Sequence, residues 1–383
     1  MFVAWFRSSR VVALRSVSLC LLVLLSLLIG ACGSSGTQAR TSSAPTPKVT
    51  ITPALSPTSA TPTLLRPDLE RGMIYPQYGP NAYGVNDTTW QQGIQAIKTQ
   101  TASTWLEIPV LLQQPTIYST SIGPAATAPG LDAFANGIHA AQALGFHIFF
   151  VPLLGVNTPG DWSGVVQITP ASQQTWFDNY WQALQPYAQV AQQNGVEQMA
   201  IGTELVWLEQ NAPASLWNQL IARVQSVFKG TLTYDMNWYP SLSQAPQSWM
   251  KNPALSKIGL SEYIPLSDTP APLDPNSLPG IWNTKVGKLI DTFSSQVGKQ
   301  IIITEIGYRN SSDALYNPYA PQSSAPDDER QQAAAYDAAL TDVFADSHIA
   351  GIFFWGWDNV GRLAIAGQQA VQVVDRWYTS MSS

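Results

Sequence analysis

Eight short runs rich in β-branched and aromatic residues, separated by segments with helical apolar spacing, constrain this chain more than any other feature. They fall at residues 72–78, 104–112, 147–154, 198–205, 232–238, 258–264, 300–307 and 351–357. Such alternation predicts parallel strands joined by crossover helices. Residues 131–144 place Leu131, Phe134, Ile138, Ala141 and Leu144 on one helical face, and Gly145 follows as a C-terminal cap. Residues 175–194 do the same with Trp176, Tyr180, Leu184, Tyr187 and Ala191, and 329–344 form a helix before the last run. No repeat of solenoid period occurs. The expectation is an α/β fold, a single (β/α)8 TIM barrel over residues 67–383. An open parallel sheet is the competitor, and the aromatic-rich eighth run, placed to return beside the first, favours closure.

Two of these runs end in glutamate. Ile201-Gly202-Thr203-Glu204-Leu205 is answered by Ile303-Thr304-Glu305-Ile306-Gly307-Tyr308, with the acids 101 residues apart. That is about three strand–helix units at roughly 30 residues each. The C-terminal ends of barrel strands share one rim, where such folds do their chemistry. Two carboxylates across it are what glycosidic-bond hydrolysis requires, about 5–5.5 Å apart for retention and roughly 6.5–9.5 Å for inversion. Burial at the end of an apolar strand would raise the pKa of Glu204 and suit it to donate a proton. Glu305, if hydrogen bonds keep it ionised, would be the nucleophile.

Other rim positions follow from strand ends. Tyr263 is placed to donate a hydrogen bond to Glu305, and Trp355 to lie beneath a sugar ring. Asn237 and Trp238 end the fifth run, and Trp162 and Trp207 sit in or near rim loops. These six are the candidate substrate-binding residues, drawn from a chain with 14 Trp and 14 Tyr. Aromatic faces of that kind stack on the C–H faces of sugars. Glu262 should face the layer opposite Tyr263, and Glu209 and Asp358 read as solvated or structural acids. His139, His147 and His348 are scattered, and neither His-Glu-x-x-His nor Gly-x-Ser-x-Gly occurs, so no metal site is expected. A net charge of −6 with 11% charged residues provides no basic face for nucleic acid.

The N-terminus reads as an export segment. Arg7, Arg10 and Arg15 precede an apolar stretch over 17–29, too short to span a bilayer. It ends in Ile29-Gly30-Ala31-Cys32, which resembles the lipobox of bacterial lipoproteins. That resemblance implies a signal peptide over 1–31, lipidation of Cys32 and a protein exported to the cell surface and anchored to the membrane. An ordinary secretory signal is the alternative. The only other cysteine, Cys20, lies inside the signal, so the exported domain must be stable without disulfides. Residues 32–66, rich in Ser, Thr and Pro, cannot bury a core and read as a disordered tether.

The stretches Trp176…Tyr180…Leu184…Tyr187-Ala188…Ala191…Gly195-Val196…Ile201-Gly202-Thr203-Glu204-Leu205, then Thr304-Glu305-Ile306-Gly307-Tyr308, then Phe353-Phe354-Trp355-Gly356-Trp357 together resemble glycoside hydrolase family 113. The resemblance spans nearly all of 72–357. It implies a retaining endo-β-1,4-mannanase with Glu204 as acid/base and Glu305 as nucleophile, no cofactor and a polysaccharide partner; a monomer is a separate expectation. This chain has Thr203 where many members of the clan place Asn, and Val151-Pro152-Leu153-Leu154 and Trp162-Ser163-Gly164 where polar or charged residues are usual. Two alternatives stay open: a non-catalytic carbohydrate-binding surface lipoprotein, and a related hydrolase of another β-glycan.

Overall fold

The computed structural model describes residues 66–380, so the signal, Cys32 and the tether up to residue 65 lie outside the described residues. Eight parallel strands make the barrel: β1 Glu70–Ile74, β2 Trp105–Gln114, β3 His147–Val156, β4 Gln198–Thr203, β5 Thr231–Asn237, β6 Ile258–Glu262, β7 Ile301–Ile306 and β8 Ile349–Trp355. β1 pairs with β2 on one side and with β8 on the other, Gly72 lying opposite Trp105 and Phe353, so the sheet closes on itself. A two-residue antiparallel strand, Gly123–Pro124, is added to β2.

Seven long helices surround the strands: α1 Thr88–Thr101, α2 Leu131–Ala143, α3 Pro170–Gln193, α4 Ala214–Val227, α5 Lys288–Val297, α6 Glu329–Ala345 and α7 Gln369–Thr379. α3 begins five residues before the sequence-based boundary because Pro170 occupies its first position, where a missing N–H costs nothing. Its buried Trp176, Tyr180, Leu184, Tyr187 and Ala191 face the strands, as their spacing requires. Between β5 and β6 the long crossover helix is replaced by the 3₁₀ turns Ser241–Ser243 and Ser248–Lys251. Among the described residues no helix is long and apolar enough to cross a membrane.

Two apolar layers hold the barrel. The larger lies between strands and helices, and a separate plug of Ile74, Phe149, Val151, Ala200, Ile302 and Phe353 fills the interior. At the N-terminal end Glu70 accepts hydrogen bonds from Lys257 Nζ and from Gln198 Nε2, the latter at 3.1 Å, which satisfies an otherwise buried carboxylate.

Glu262, at the end of β6, is fully buried on the helix-facing side. It accepts from Ile264 N–H at 2.8 Å and from the Tyr308 hydroxyl at 3.4 Å. Burial pushes its pKa up to about 8, against the pull of those two bonds. A carboxyl raised in the folded state contributes stability that is complete below its unfolded value, about 4.3, and that drains away as pH rises through about 8. Thermal unfolding should therefore show a Tm that falls as pH rises from about 4.3 to about 8 and levels off above it. Glu262→Gln should flatten that fall by several degrees, at roughly 2–4 °C per kcal/mol for a domain of this size. A Tm–pH curve as steep as that of the wild type would refute the assignment.

Candidate active site

Glu204 is the first residue beyond β4, and its backbone has φ +52°. This left-handed conformation costs a residue bearing a β-carbon about 1 kcal/mol or more. The Glu204 N–H donates to Asp235 O at 2.8 Å, which holds the turn. The β4–β5 register shifts between Ala200 and Thr203, and the β6–β7 register shifts between Leu260 and Ser261, leaving Ser261 opposite Glu305. Irregularities of this kind re-aim side chains at strand ends. Here they occur on the two strands that carry the acids.

Each acid has a neighbouring donor. Asn237, the last residue of β5, donates from Nδ2 to Glu204 Oε1 at 2.7 Å. Its Oδ1 accepts from Tyr239 N–H at 2.9 Å, so the amide can present only its NH₂ group to Glu204. The Tyr263 hydroxyl donates to Glu305 Oε1. Burial, with Glu305 adding to it, holds the Tyr263 pKa well above that of a free phenol, so the donor keeps its proton.

Glu204 and Glu305 line one cavity of 220 Å³ at the C-terminal rim. Asn237, Tyr263, Trp162 and Trp355 line it with them, and the Trp355–Gly356 peptide is cis. Trp207 and Trp238 do not line it. Trp207 belongs to the short helix Val206–Asn211, which turns its ring toward the core. Trp238 stacks on Tyr319 with centroids 6.3 Å apart, and it is Tyr319 that reaches the cavity. Glu209, expected to be solvated or structural, is buried on the same short helix and accepts from the Tyr234 hydroxyl at 3.3 Å. His348 sits between Asp291 and Asp346, its Nδ1 3.0 Å from each, before β8 and away from the rim.

Burial pushes Glu204 up to about 7, opposed by the hydrogen bond from Asn237 and by the nearby Ser261 hydroxyl. Glu305 is pushed well above the carboxylate range by burial, the Glu204 charge and the Asp235 charge, and the Tyr263 bond opposes them. Two such acids on one cavity retain a proton between them at neutral pH. Asp235 lies below, 2% exposed, accepting from Thr304 and, at 3.3 Å on each oxygen, from Ser261. Gly259 makes room for it, since a β-carbon there would stand 2.9 Å from Asp235 Cα. Burial, the Glu204 charge adding, drives Asp235 up to about 8. Glu107 on β2 is also driven up by burial, with Asp235 and Glu305 adding to it. Among the described residues no Lys, Arg or His lines the cavity, so protons rather than cations balance this group of acids.

Asp235 and Ser261 escaped the sequence reading, although alternation was the available signal. Asp235 shares a face with Asn237, and Ser261 with Tyr263. Tyr78, just past the first strand, and Tyr319, in the loop after β7, also line the cavity. Tyr78 closes the first run read from the sequence but was not singled out there, and Tyr319 lies in no periodic segment that would have marked it.

A closed barrel with two carboxylates sharing one rim cavity defines a class, the (β/α)8 glycoside hydrolases. Residues 81–374 match the model of Glycoside Hydrolase Family 113, and the chain belongs to that family and is an O-glycoside hydrolase. Its structure is similar to that of a family 113 β-1,4-mannanase, with a TM-score of 0.70 at 20% identity over 82% of this chain and 99% of the other. It is similar to the family 113 β-mannanase of Alicyclobacillus acidocaldarius, solved with ManMIm, at 0.69 and 21% identity over 82% and 98%. A family 5 mannosidase from Rhizomucor miehei gives 0.55 at 13% identity over 82% and 93%. Identities this low speak for the shared fold. No curated protein matches the sequence.

Proposed function

We propose that this glycoside hydrolase cleaves β-1,4-mannan or glucomannan with retention, Glu204 acting as acid/base and Glu305 as nucleophile. The observation that carries the assignment is that both acids line one cavity, each with a dedicated donor on one oxygen. The Asn237 bond occupies Glu204 Oε1 and leaves Oε2 to carry the proton for the glycosidic oxygen. The Tyr263 bond draws Glu305 toward its ionised form against the upward push of burial and the Glu204 charge, and the attack requires the proton the pair holds to sit on Glu204. Glu305 then attacks the anomeric carbon as Glu204 protonates the leaving oxygen, and water deprotonated by Glu204 releases the sugar from the enzyme. The mannan reading is supported by family membership and by the mannanases that share the fold.

We further propose that the enzyme acts at the cell surface on a lipid anchor at Cys32, as the sequence Ile29-Gly30-Ala31-Cys32 suggests. Release of reducing ends from mannan, glucomannan, xylan, cellulose and galactan tests the activity, with NMR of the first-formed anomer testing retention. Mannan or glucomannan should be cleaved fastest. Cleavage of a different glycan alone would move the substrate and leave the chemistry. Cleavage of none would overturn both.

A further inference from the structure

The rim carries a second, larger depression of 730 Å³, against 220 Å³ for the cavity over the acids, and Tyr78 lines both. It is formed by the segment between β1 and α1 and by the start of α2. That segment is pinned in place. Gly79 N–H donates to Thr127 O at 2.7 Å, and Gly130 N–H to Pro80 O at 3.1 Å. The Tyr83 hydroxyl donates to Pro109 O at 3.1 Å and accepts from Gln77 N–H at 3.0 Å. A groove fixed in this way has its ordering cost met before any ligand arrives.

The chemistry of the lining is narrow. Among the described residues that line it Asp87 is the only acidic or basic side chain, and its carboxylate is already engaged by Trp90 N–H at 3.0 Å and Tyr83 N–H at 2.9 Å. The side-chain amides of Asn81, Asn86 and Asn136 have no hydrogen-bond partner among the described residues. An anionic ligand would find no counter-charge here, and a cation only a carboxylate already holding two N–H groups, whereas vicinal hydroxyls match the paired donor and acceptor of a planar amide. The volume lies within the range of small-molecule sites. Tyr78 lines both groove and cavity, so the two adjoin at that phenol.

We propose that this groove seats neutral sugar units that continue the substrate beyond Tyr78, held by Asn81, Asn86 and Asn136, so that the enzyme binds an oligosaccharide several units long. The proposal rests on the reading of the Glu204–Glu305 cavity as the cleavage site. It is tested by titration calorimetry on Glu305→Ala, which holds sugar without consuming it, using β-1,4-linked manno-, cello- and xylo-oligosaccharides of two and six units. In the series that binds most tightly, the hexasaccharide should bind at least tenfold more tightly than the disaccharide. Adding Asn81→Ala and Asn136→Ala should cut that advantage below threefold, with Tm read on each variant to verify folding. An equal affinity for short and long ligands, binding of neither, or an advantage untouched in the folded triple variant would each overturn the groove. Wild-type turnover, measured separately, decides the proposed activity: length-dependent binding without cleavage sinks the activity and leaves the groove, and cleavage without length dependence does the reverse.

Discussion

Glu305→Ala should abolish turnover of polysaccharide and of activated aryl glycosides alike, with kcat/KM falling on the order of 10⁴-fold or more. The nucleophile takes part in forming and in breaking the glycosyl–enzyme bond, so no improvement in the leaving group compensates for its absence. The side chain lies at the rim, and its removal deletes a carboxyl that burial and the Glu204 charge both penalise. Tm should accordingly stay level or rise, as is usual where a site holds groups in unfavourable surroundings. A folded Glu305→Ala enzyme that retained wild-type rates on every β-glycan would eliminate the double-displacement mechanism on this residue.

Glu204→Ala should divide substrates by leaving group. A polysaccharide needs its departing oxygen protonated, and loss of the acid should cost about 10²–10⁴ in kcat/KM. An aryl glycoside with an acidic phenol leaves unaided, so its first step should be nearly preserved while the second, deprived of its base, becomes slow and lowers KM. Azide, which needs no deprotonation, should restore the second step. The pH profile supplies an independent check. Glu204 works as an acid only while protonated, and burial sets it at about 7, so wild-type kcat/KM should fall as pH rises through that value. The alanine variant should lose that alkaline limb. An unchanged limb, or equal losses on both substrate types, would move the acid role to another residue.

Most of the barrel was legible because its signals are local. The eight strands fell within a few residues of the runs read from sequence, since strands buried on both faces are near-continuous apolar segments. The first was displaced furthest, expected at 72–78 and found at Glu70–Ile74, because Pro76 ends the pairing while Tyr75 stays buried. Glu204 and Glu305 were legible for the same reason, as acids that close apolar strands. What surrounds them was not. The approach of Asn237 to Glu204 depends on a register shift and a left-handed backbone that no propensity encodes. Trp207 and Trp238 show the converse error, since position near the rim says nothing of which way a ring turns once the chain leaves the strand. The long excursion after β7 brings Tyr319 to the cavity from a segment without periodicity.

The absence of basic side chains among the described residues that line the 220 Å³ cavity has a pharmacological corollary. Positive charge in that space must come from the visitor: transiently from a sugar ring as its bond breaks, or durably from an amine built into a ring of similar shape. Such a compound would carry in the charge that the protein itself does not provide there, and so would bear the closest electrostatic likeness to the fleeting species the pocket is shaped to hold.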